Sequence, residues 1–196
     1  QEARIEEIMV VAEKRDESLQ DLSQAVTAIS ADELETKNIN SFVDLSALAP
    51  GLTVAKNEGF KTVVSIRGVG NETNQNAIAA PSVAYHMDGI FIASPFSLQT
   101  DFIVVERIEV LRGPQGTLFG QNSTGGAINV ISKAPSTSEL EGKTDLTVGN
   151  YGLTKTRGSI NLPISDSVAT RTSISVTKRD GFSDNIFNGQ ELDDAD

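Results

Sequence analysis

The segment at residues 105–132, VERIEVLRGPQGTLFGQNSTGGAINVIS, constrains the fold of this chain more than any other part of the sequence. Its first part, Val105–Arg112, alternates in the two-residue period of a β-strand, with Ile108 and Val110 on one face. Charged side chains stand at both ends of that face. The segment is therefore expected to open with a strand that has one apolar face.

The glycines and the proline of the segment predict a turn and a short helix after this strand. Gly113-Pro114 ends the strand, and a proline suits the first turn of a helix, which we expect over residues 115–119. Gly120 is able to end that helix in a left-handed conformation. Gly125-Gly126 then turns the chain into a second strand, expected at residues 127–131.

Glycine-rich loops between strands and helices also bind phosphates. A P-loop, however, has a lysine and a serine or threonine directly after its last glycine, and the dinucleotide fingerprint is G-x-G-x-x-G after a strand. The sequence GPQGTLFGQNSTGG contains neither pattern. We therefore favour a structural role for this loop and keep a nucleotide-binding enzyme as an alternative.

The longer sequence VERIEVLRGPQGTLFGQNSTGGAINVISKAP closely resembles, without gaps, the end of the plug domain of TonB-dependent outer-membrane receptors. QAVTAISADEL, FVDLSALAPGLTV, SIRGVG and VAYHMDGIF resemble other plug segments in the same order. The resemblance thus covers nearly the whole chain. It implies an α+β plug domain over residues 18–138, with a small mixed sheet and short helices.

Local signals predict the elements of this plug. Ser30-Ala-Asp-Glu33 is a capping box, so a helix is expected to begin at Ala31. A second helix is expected from Ser41 to Pro50-Gly51, with a buried face formed by Phe42, Leu45 and Leu48. Strands are expected at residues 25–29, 52–55, 62–67, 83–87 and 90–93, the last two joined by the hairpin turn Asp88-Gly89.

Beyond Pro135 the sequence becomes rich in threonine and strictly two-periodic. Three long strands are expected, at residues 142–148, 153–164 and 168–178, each with one apolar and one polar face. Strands of this kind are typical of outer-membrane barrels, although a soluble antiparallel sheet has the same period. The resemblance favours the first strands of a transmembrane β-barrel at residues 139–196. Because plugged relatives have about 22 strands, we expect the chain to be a fragment of a plugged β-barrel.

The amino-acid composition limits the classes of partner that this chain can bind. The 16 basic and 27 acidic side chains give a net charge of −11, which argues against nucleic acid, since a basic face is needed there. The absence of cysteine removes thiol chemistry and thiolate metal sites. The sequence contains no run of 18 apolar residues, so it predicts no transmembrane helix. Closed barrels, however, also span membranes.

The N-terminal residues 1–17 combine a β-prone run, IEEIMVVA, with the charged segment EKRDE. A short strand on a polar leash is suited to pairing with the sheet edge of another protein. The resemblance implies that this strand is the TonB box, which binds the periplasmic C-terminal domain of TonB. The predicted TonB-binding residues are Glu7, Ile8, Met9, Val10, Val11 and Ala12.

Four charged residues lie in otherwise apolar predicted strands: Arg67, Glu106, Glu109 and Arg112. They could belong to a solvated strand face, or they could be partly buried, in which case each needs a partner. The resemblance implies a latch, in which the arginines of SIRG and VLRG meet glutamates of the barrel wall and of the neighbouring plug strand.

The resemblance also places two outward-facing plug loops where a ligand binds. The candidate ligand-facing residues are Asn71, Glu72, Asn74, Gln75, Ser94, Phe96 and Gln99. No catalytic constellation is apparent. His86, the sole histidine, is expected to be a packed or hydrogen-bonded strand residue, and Asp88 a turn former. Ser123-Thr124 has no histidine as a plausible triad partner.

These observations predict TonB-dependent active transport of a ligand across the cell outer membrane, with the plug gating the barrel. The predicted partners are TonB, outer-membrane lipid and a small transported ligand, with no nucleic acid. We expect no enzymatic activity, no cofactor and no metal. The main alternative is a soluble periplasmic ligand-binding module.

Overall fold

The structure is a computed structural model that describes residues 9–10, 17–18, 25–57, 61–70, 81–94, 98, 102–181, 183–184 and 191–192. The chain divides into two compact units, residues 1–133 and 134–196. Within the described residues no helix is both long and apolar enough to span a membrane.

The described residues of the first unit form ten short strands and two α-helices. The strands are β1 Met9–Val10, β2 Glu17–Ser18, β3 Ala25–Ser30, β4 Leu52–Asn57, β5 Lys61–Ile66, β6 Val69–Gly70, β7 Val83–Met87, β8 Ile90–Phe91, β9 Val105–Arg112 and β10 Gly126–Ser132. The helices are α1 Ala31–Thr36 and α2 Gly116–Phe119. The predicted mixed sheet with short helices is therefore confirmed.

The main sheet of the first unit has the strand order β3-β9-β10-β7-β8. Strand β10 runs parallel to β7 and antiparallel to β9, so the sheet is mixed. Gly126 begins β10 with φ +150°, and a Cβ there would overlap the carbonyl oxygen of Leu111. The glycine pair of the sequence thus lets β10 start close against its neighbour.

One face of the main sheet covers the principal core. Ile29, Ile108, Val110, Ile128 and Val130 are at most 1% exposed. They belong to one cluster that includes residues of the segment 39–54. Phe42, also 1% exposed, meets the rings of Tyr85 and Phe102 edge-on, with 4.8 Å between centroids in both pairs. The cluster therefore packs the segment 39–54 against the main sheet.

Side-chain hydrogen bonds are found at the start of helix α1 and at the start of a 3₁₀ turn that follows it. Helix α1 begins where the capping box predicts, and the Glu33 N–H donates to Ser30 Oγ at 3.3 Å. The long second helix predicted from Ser41 is wrong, because only a 3₁₀ turn forms, at Asp44–Ala47. The Asp44 carboxylate accepts the backbone N–H groups of Asn40 and Ser41 and the Ser41 hydroxyl. The N–H groups of residues 45, 46 and 48 then bond to carbonyls three residues back, which is the 3₁₀ pattern.

One of two turns predicted from glycines in the first unit forms as expected. Asp88 and Gly89 have φ +50° and +80°, as a two-residue hairpin turn between β7 and β8 requires. Gly120, predicted to end α2 in a left-handed conformation, has φ +74° but ψ −141°. The left-handed helical conformation predicted for Gly120 is therefore wrong, because its φ is positive but its ψ is extended.

The second unit is built on a three-stranded antiparallel meander. Its strands are β11 Glu141–Val148, β12 Thr154–Ser165 and β13 Val168–Lys178, so all three predicted strands are confirmed. Further on, β14 Ser183–Asp184 pairs with β15 Glu191–Leu192 in a short antiparallel pair.

Candidate functional site

Glu109 is the most deeply buried charged residue of the described part of the main sheet, with 0% exposure. Its carboxylate accepts hydrogen bonds from Arg107 Nε at 3.0 Å and from Asn129 Nδ2 at 3.2 Å. Arg107 also donates to Glu106 at 2.6 Å, so one arginine bridges two of the predicted charged residues. The buried carboxylate is thereby paired, as a buried charge requires.

Arg107 and Asn129 were not predicted from the sequence. Arg107 is two residues from Glu109 on one strand and therefore shares its face, which is a signal that the sequence contains. Asn129 is the direct β10 neighbour of Glu109 in the antiparallel register. That partner becomes apparent only when the register is known.

The four predicted latch residues do not form one cluster. Arg67 lies outside β5, with φ +52° and an exposed side chain, so its prediction as a strand residue is wrong. Arg112 is half-buried and donates from Nε to the Ala25 carbonyl at 3.3 Å, across to the edge strand β3. Glu106 is exposed, whereas Glu109 is fully buried.

His86 is 6% exposed and packs among aromatic rings, as expected for a strand histidine. The Phe119 ring of α2 is 5.0 Å from it, and the Phe91 ring of β8 is 5.5 Å away. In register, His86 lies beside Asn129, and Asn129 lies beside Glu109. A row of three polar residues therefore crosses the sheet on the face opposite the principal core.

A cavity of about 520 Å³ adjoins this row. Its walls come from β7 and its turn, from α2 and from β10. The lining residues are His86, Asp88, Gly89, Thr117, Leu118, Phe119, Gly120, Asn129 and Ile131. The cavity thus combines aromatic and aliphatic walls with a few polar groups.

Asp88 is held in place at the rim of the cavity. Its carboxylate accepts from the Ser132 N–H and the Ser132 hydroxyl, both at 2.8 Å, and its own N–H donates to Val130 O at 2.9 Å. The expected role as a turn former is confirmed. On the other face of β7, burial and, to a smaller extent, the charge of Asp88 raise the pKa of Tyr85 to about 12.

The two predicted ligand-facing loops and the TonB box lie mostly outside the described residues. Ser94 is described and exposed. Residues outside the description are Asn71, Glu72, Asn74, Gln75, Phe96 and Gln99 of the loops, and Glu7, Ile8, Val11 and Ala12 of the box. The remaining box residues, Met9–Val10, form β1 and pair antiparallel with Glu17–Ser18.

The second unit has an exposed apolar sheet face. Its exposed aliphatic residues on the three long strands are Leu146, Val148, Ile160, Leu162, Ile164, Val168, Ile174 and Val176. The opposite face is polar and more shielded, with an Arg171–Glu141 ion pair at 3.0 Å. A sheet with exposed apolar residues on one side and ion pairs on the other suits an apolar surrounding.

One buried asparagine organises the polar face of this meander. Asn161 is 0% exposed, and its Oδ1 accepts from Ser136 N at 2.9 Å. Its Nδ2 donates to the carbonyls of Ser136 and Glu139 at 2.8 and 2.7 Å. Asn161 therefore fixes the segment that leads into β11.

Among the described residues no group of three or more His, Asp or Glu side chains is arranged to hold a metal ion. The glycine segment at residues 113–126 forms turns and the short helix α2, which is packed by Phe119 against His86. The chemistry at hand is hydrogen bonding and ion pairing between strands.

A mixed plug sheet followed by strands with an exposed apolar face defines the class of plugged outer-membrane receptors. Residues 18–127 match the family described as TonB-dependent Receptor Plug Domain, and the chain belongs to that family. The family and the outer-membrane location expected from the sequence are thereby confirmed.

Proteins of similar sequence include receptors and transporters. The chain is 36% identical over 114 residues to the pesticin receptor of Yersinia pestis, which covers 56% of this chain and 16% of that protein. It is 30% identical over 136 residues to the vitamin B12 transporter BtuB of Vibrio vulnificus, covering 67% of this chain and 21% of the relative. The chain thus spans about a fifth or less of the length of these relatives.

Solved structures show the same architecture. The ferric yersiniabactin uptake receptor FyuA from Yersinia pestis is similar with a TM-score of 0.74 and 26% identity, over 88% of this chain and 27% of that one. The ferripyoverdine receptor of Pseudomonas aeruginosa has a TM-score of 0.74 and 21% identity, over 90% of this chain and 23% of its own. At that identity the second likeness shows the fold alone.

Proposed function

We propose that this chain is the plug and the first barrel strands of a receptor that transports a ligand across the outer membrane with energy supplied through TonB. The observation that carries the proposal is the contrast within one chain. A packed plug sheet precedes a meander whose aliphatic side chains, such as Leu146 and Ile174, are exposed. The domain limits we propose are 1–17 for the leash, 18–138 for the plug and 139–196 for the barrel strands.

The proposed transport cycle needs no covalent chemistry from this chain. The ligand binds the outer loops and the plug, and the strand around Met9–Val10 then leaves its partner Glu17–Ser18 to pair with TonB. Two-residue pairing is a weak hold, since isolated two-stranded hairpins are marginal in water. The internal pairing of β1 with β2 supports a strand that can exchange partners.

The plug is proposed to be held by a latch to the barrel wall through Arg67 and Arg112. The exposure of Arg67 supports this role, because its guanidinium is presented outside the plug core. Glu109 is proposed as an internal support of the latch region, through its bond to Arg107, and not as a direct partner of the wall.

The box assignment is tested by Ile8→Pro in the full-length receptor. Proline removes one backbone donor from the strand that pairs with TonB, so binding of the TonB C-terminal domain should be abolished. Ile5→Pro, upstream of the proposed box, is the matched control. Equal binding of wild type and Ile8→Pro in a calorimetric titration would refute the assignment.

A further inference from the structure

Asn129 is the strongest candidate for a contact that the described residues leave incomplete. It is 4% exposed, and its Nδ2 is oriented by the bond to Glu109. Within the part of the chain that the structure describes, its Oδ1 is buried and has no hydrogen-bond donor. A buried acceptor without a donor destabilises a fold, so a position of this kind indicates a missing partner.

The register of the sheet gives Asn129 two neighbours. Glu109 on β9 accepts its Nδ2, and His86 lies beside it on β7. Asn129 and His86 both line the cavity of about 520 Å³. A partner that enters this cavity is therefore near the acceptor that needs a donor.

The walls of the cavity indicate the chemistry of that partner. Phe119 offers an aromatic ring, and Asp88 offers a carboxylate that accepts only from Ser132 within the described residues. Each carboxylate oxygen can accept a second hydrogen bond. An acceptor, an anion and an aromatic ring around one cavity suit a cationic donor, and a planar guanidinium best of all.

We propose that this cavity receives a cationic side chain, an arginine or a lysine, from the barrel wall of the same receptor. The proposal rests on the proposed function, because it needs a barrel around the plug. The charges favour this source, since the chain carries a net charge of −11 and the cavity has a carboxylate at its rim. The contact has the opposite polarity to the proposed latch, in which the plug supplies the arginines.

The experiment uses the full-length receptor in outer-membrane vesicles. Arginines are labelled with phenylglyoxal and lysines with an acetyl N-hydroxysuccinimide ester, and the rates are mapped by mass spectrometry in wild type, Asn129→Leu and Asp88→Asn. Asparagine tolerates the positive φ of position 88, and its single amide oxygen still accepts from the Ser132 N–H. Asp88→Asn thus removes the charge and replaces the oxygen that accepts from the Ser132 hydroxyl with an NH2 donor. Asp166→Asn, in an exposed turn, is the matched control.

The expected result is one arginine or lysine from outside residues 1–196 that is protected in wild type. It should be labelled at least about tenfold faster in Asn129→Leu and Asp88→Asn, the size expected for one lost bond to a charged group, and unchanged in the control. Equal rates for every such residue in all four proteins would overturn the proposal. If Asn129→Leu does not assemble, Asp88→Asn decides alone.

Two other outcomes separate this proposal from its alternatives. Binding of isotope-labelled free arginine to wild type but not to Asn129→Leu, in equilibrium dialysis, would assign the cavity to a soluble cation and overturn the barrel contact. Failure of the full-length protein to form a heat-modifiable barrel on gels would refute the proposed function instead. A folded barrel with equal labelling rates refutes only the cavity contact.

Discussion

The main sheet of the plug and the three-stranded meander use the same alternation of side chains in opposite surroundings. The main sheet of the plug is buried on both faces along Ile108 to Leu111, where all four residues are 0% exposed. In the meander, Leu146 is 68% and Ile174 63% exposed, while Asn161 on the other face is fully buried. A two-residue period of apolar side chains therefore predicts a strand, but it does not predict the medium on either side of the sheet.

Two asparagines show the same contrast at atomic level. Asn161 uses both its oxygen and its nitrogen, in three hydrogen bonds to residues 136–139. Asn129 uses its nitrogen toward Glu109, whereas its oxygen has no donor among the described residues. The first asparagine completes a structure within this chain, and the second is proposed to complete one with another part of the receptor.

The largest expected effect is the loss of stability when the buried ion pair of the plug is broken. Glu109→Ala leaves Arg107, whose side chain is 15% exposed, without its buried partner, and should destabilise the plug by about 3–5 kcal/mol. Lys37→Ala is the control, because it removes the exposed pair with Glu33 and should cost less than about 1 kcal/mol. Denaturant unfolding of the full-length receptor measures both, and equal costs would show that burial does not distinguish the two pairs.

The next effect tests the medium around the meander. Ile174→Arg places a charge on the apolar face and should cost about 2–4 kcal/mol if that face lies at mid-depth in a bilayer. Ser175→Arg, one residue further and on the opposite face, should be tolerated. Barrel assembly is measured by heat-modifiable migration on gels. Full assembly of Ile174→Arg would place that face away from lipid.

A smaller effect is expected where Asn161 holds the entry segment. Asn161→Leu removes the hydrogen-bond partners of Ser136 N–H, Ser136 O and Glu139 O. The free energy of unfolding should fall by about 1–3 kcal/mol, and not by more, because water reaches part of this segment and replaces some of the lost bonds. Hydrogen exchange at the Ser136 amide should become faster, while amides of β9 stay protected. Unchanged exchange at Ser136 would contradict the role given to Asn161.

The smallest expected effect is a dependence of plug stability on pH that arises from the buried Tyr85 in the core. Because the pKa of Tyr85 is raised to about 12 from 10.0, the folded plug keeps a proton between these values that the unfolded chain has lost. Plug stability should therefore be complete below pH 10 and decrease as pH rises toward 12. Tyr85→Phe should remove that part of the decrease, as measured by denaturant unfolding across this range. An identical pH profile in the variant would contradict burial of the phenol.

Local signals in the sequence predicted much of the fold. The capping box at Ser30 and the turn Asp88-Gly89 each depend on a few adjacent residues, and both formed where expected. The long helix from Ser41 was wrong because the N–H groups of residues 45, 46 and 48 bond to carbonyls three residues back, which makes this turn a 3₁₀ helix. The apolar spacing alone does not distinguish the two kinds of helix.

The candidate site was harder to predict because its contacts cross strands. Glu109 was selected as a charge in an apolar strand, but its partner Asn129 is 20 residues away and is set by register. The exposed turn position of Arg67 depends on where β5 ends, which its apolar pattern alone does not fix. Both sets of contacts require the tertiary fold.

We propose that residues 18–138 form a plug and that the strands after them face lipid. Nitroxide labels at positions 174, 175 and 176 of the full-length receptor in bilayers test it most directly. We expect high accessibility to oxygen and low accessibility to a water-soluble nickel chelate at 174 and 176, with the reverse at 175. Equal accessibility of all three positions to the chelate would contradict it.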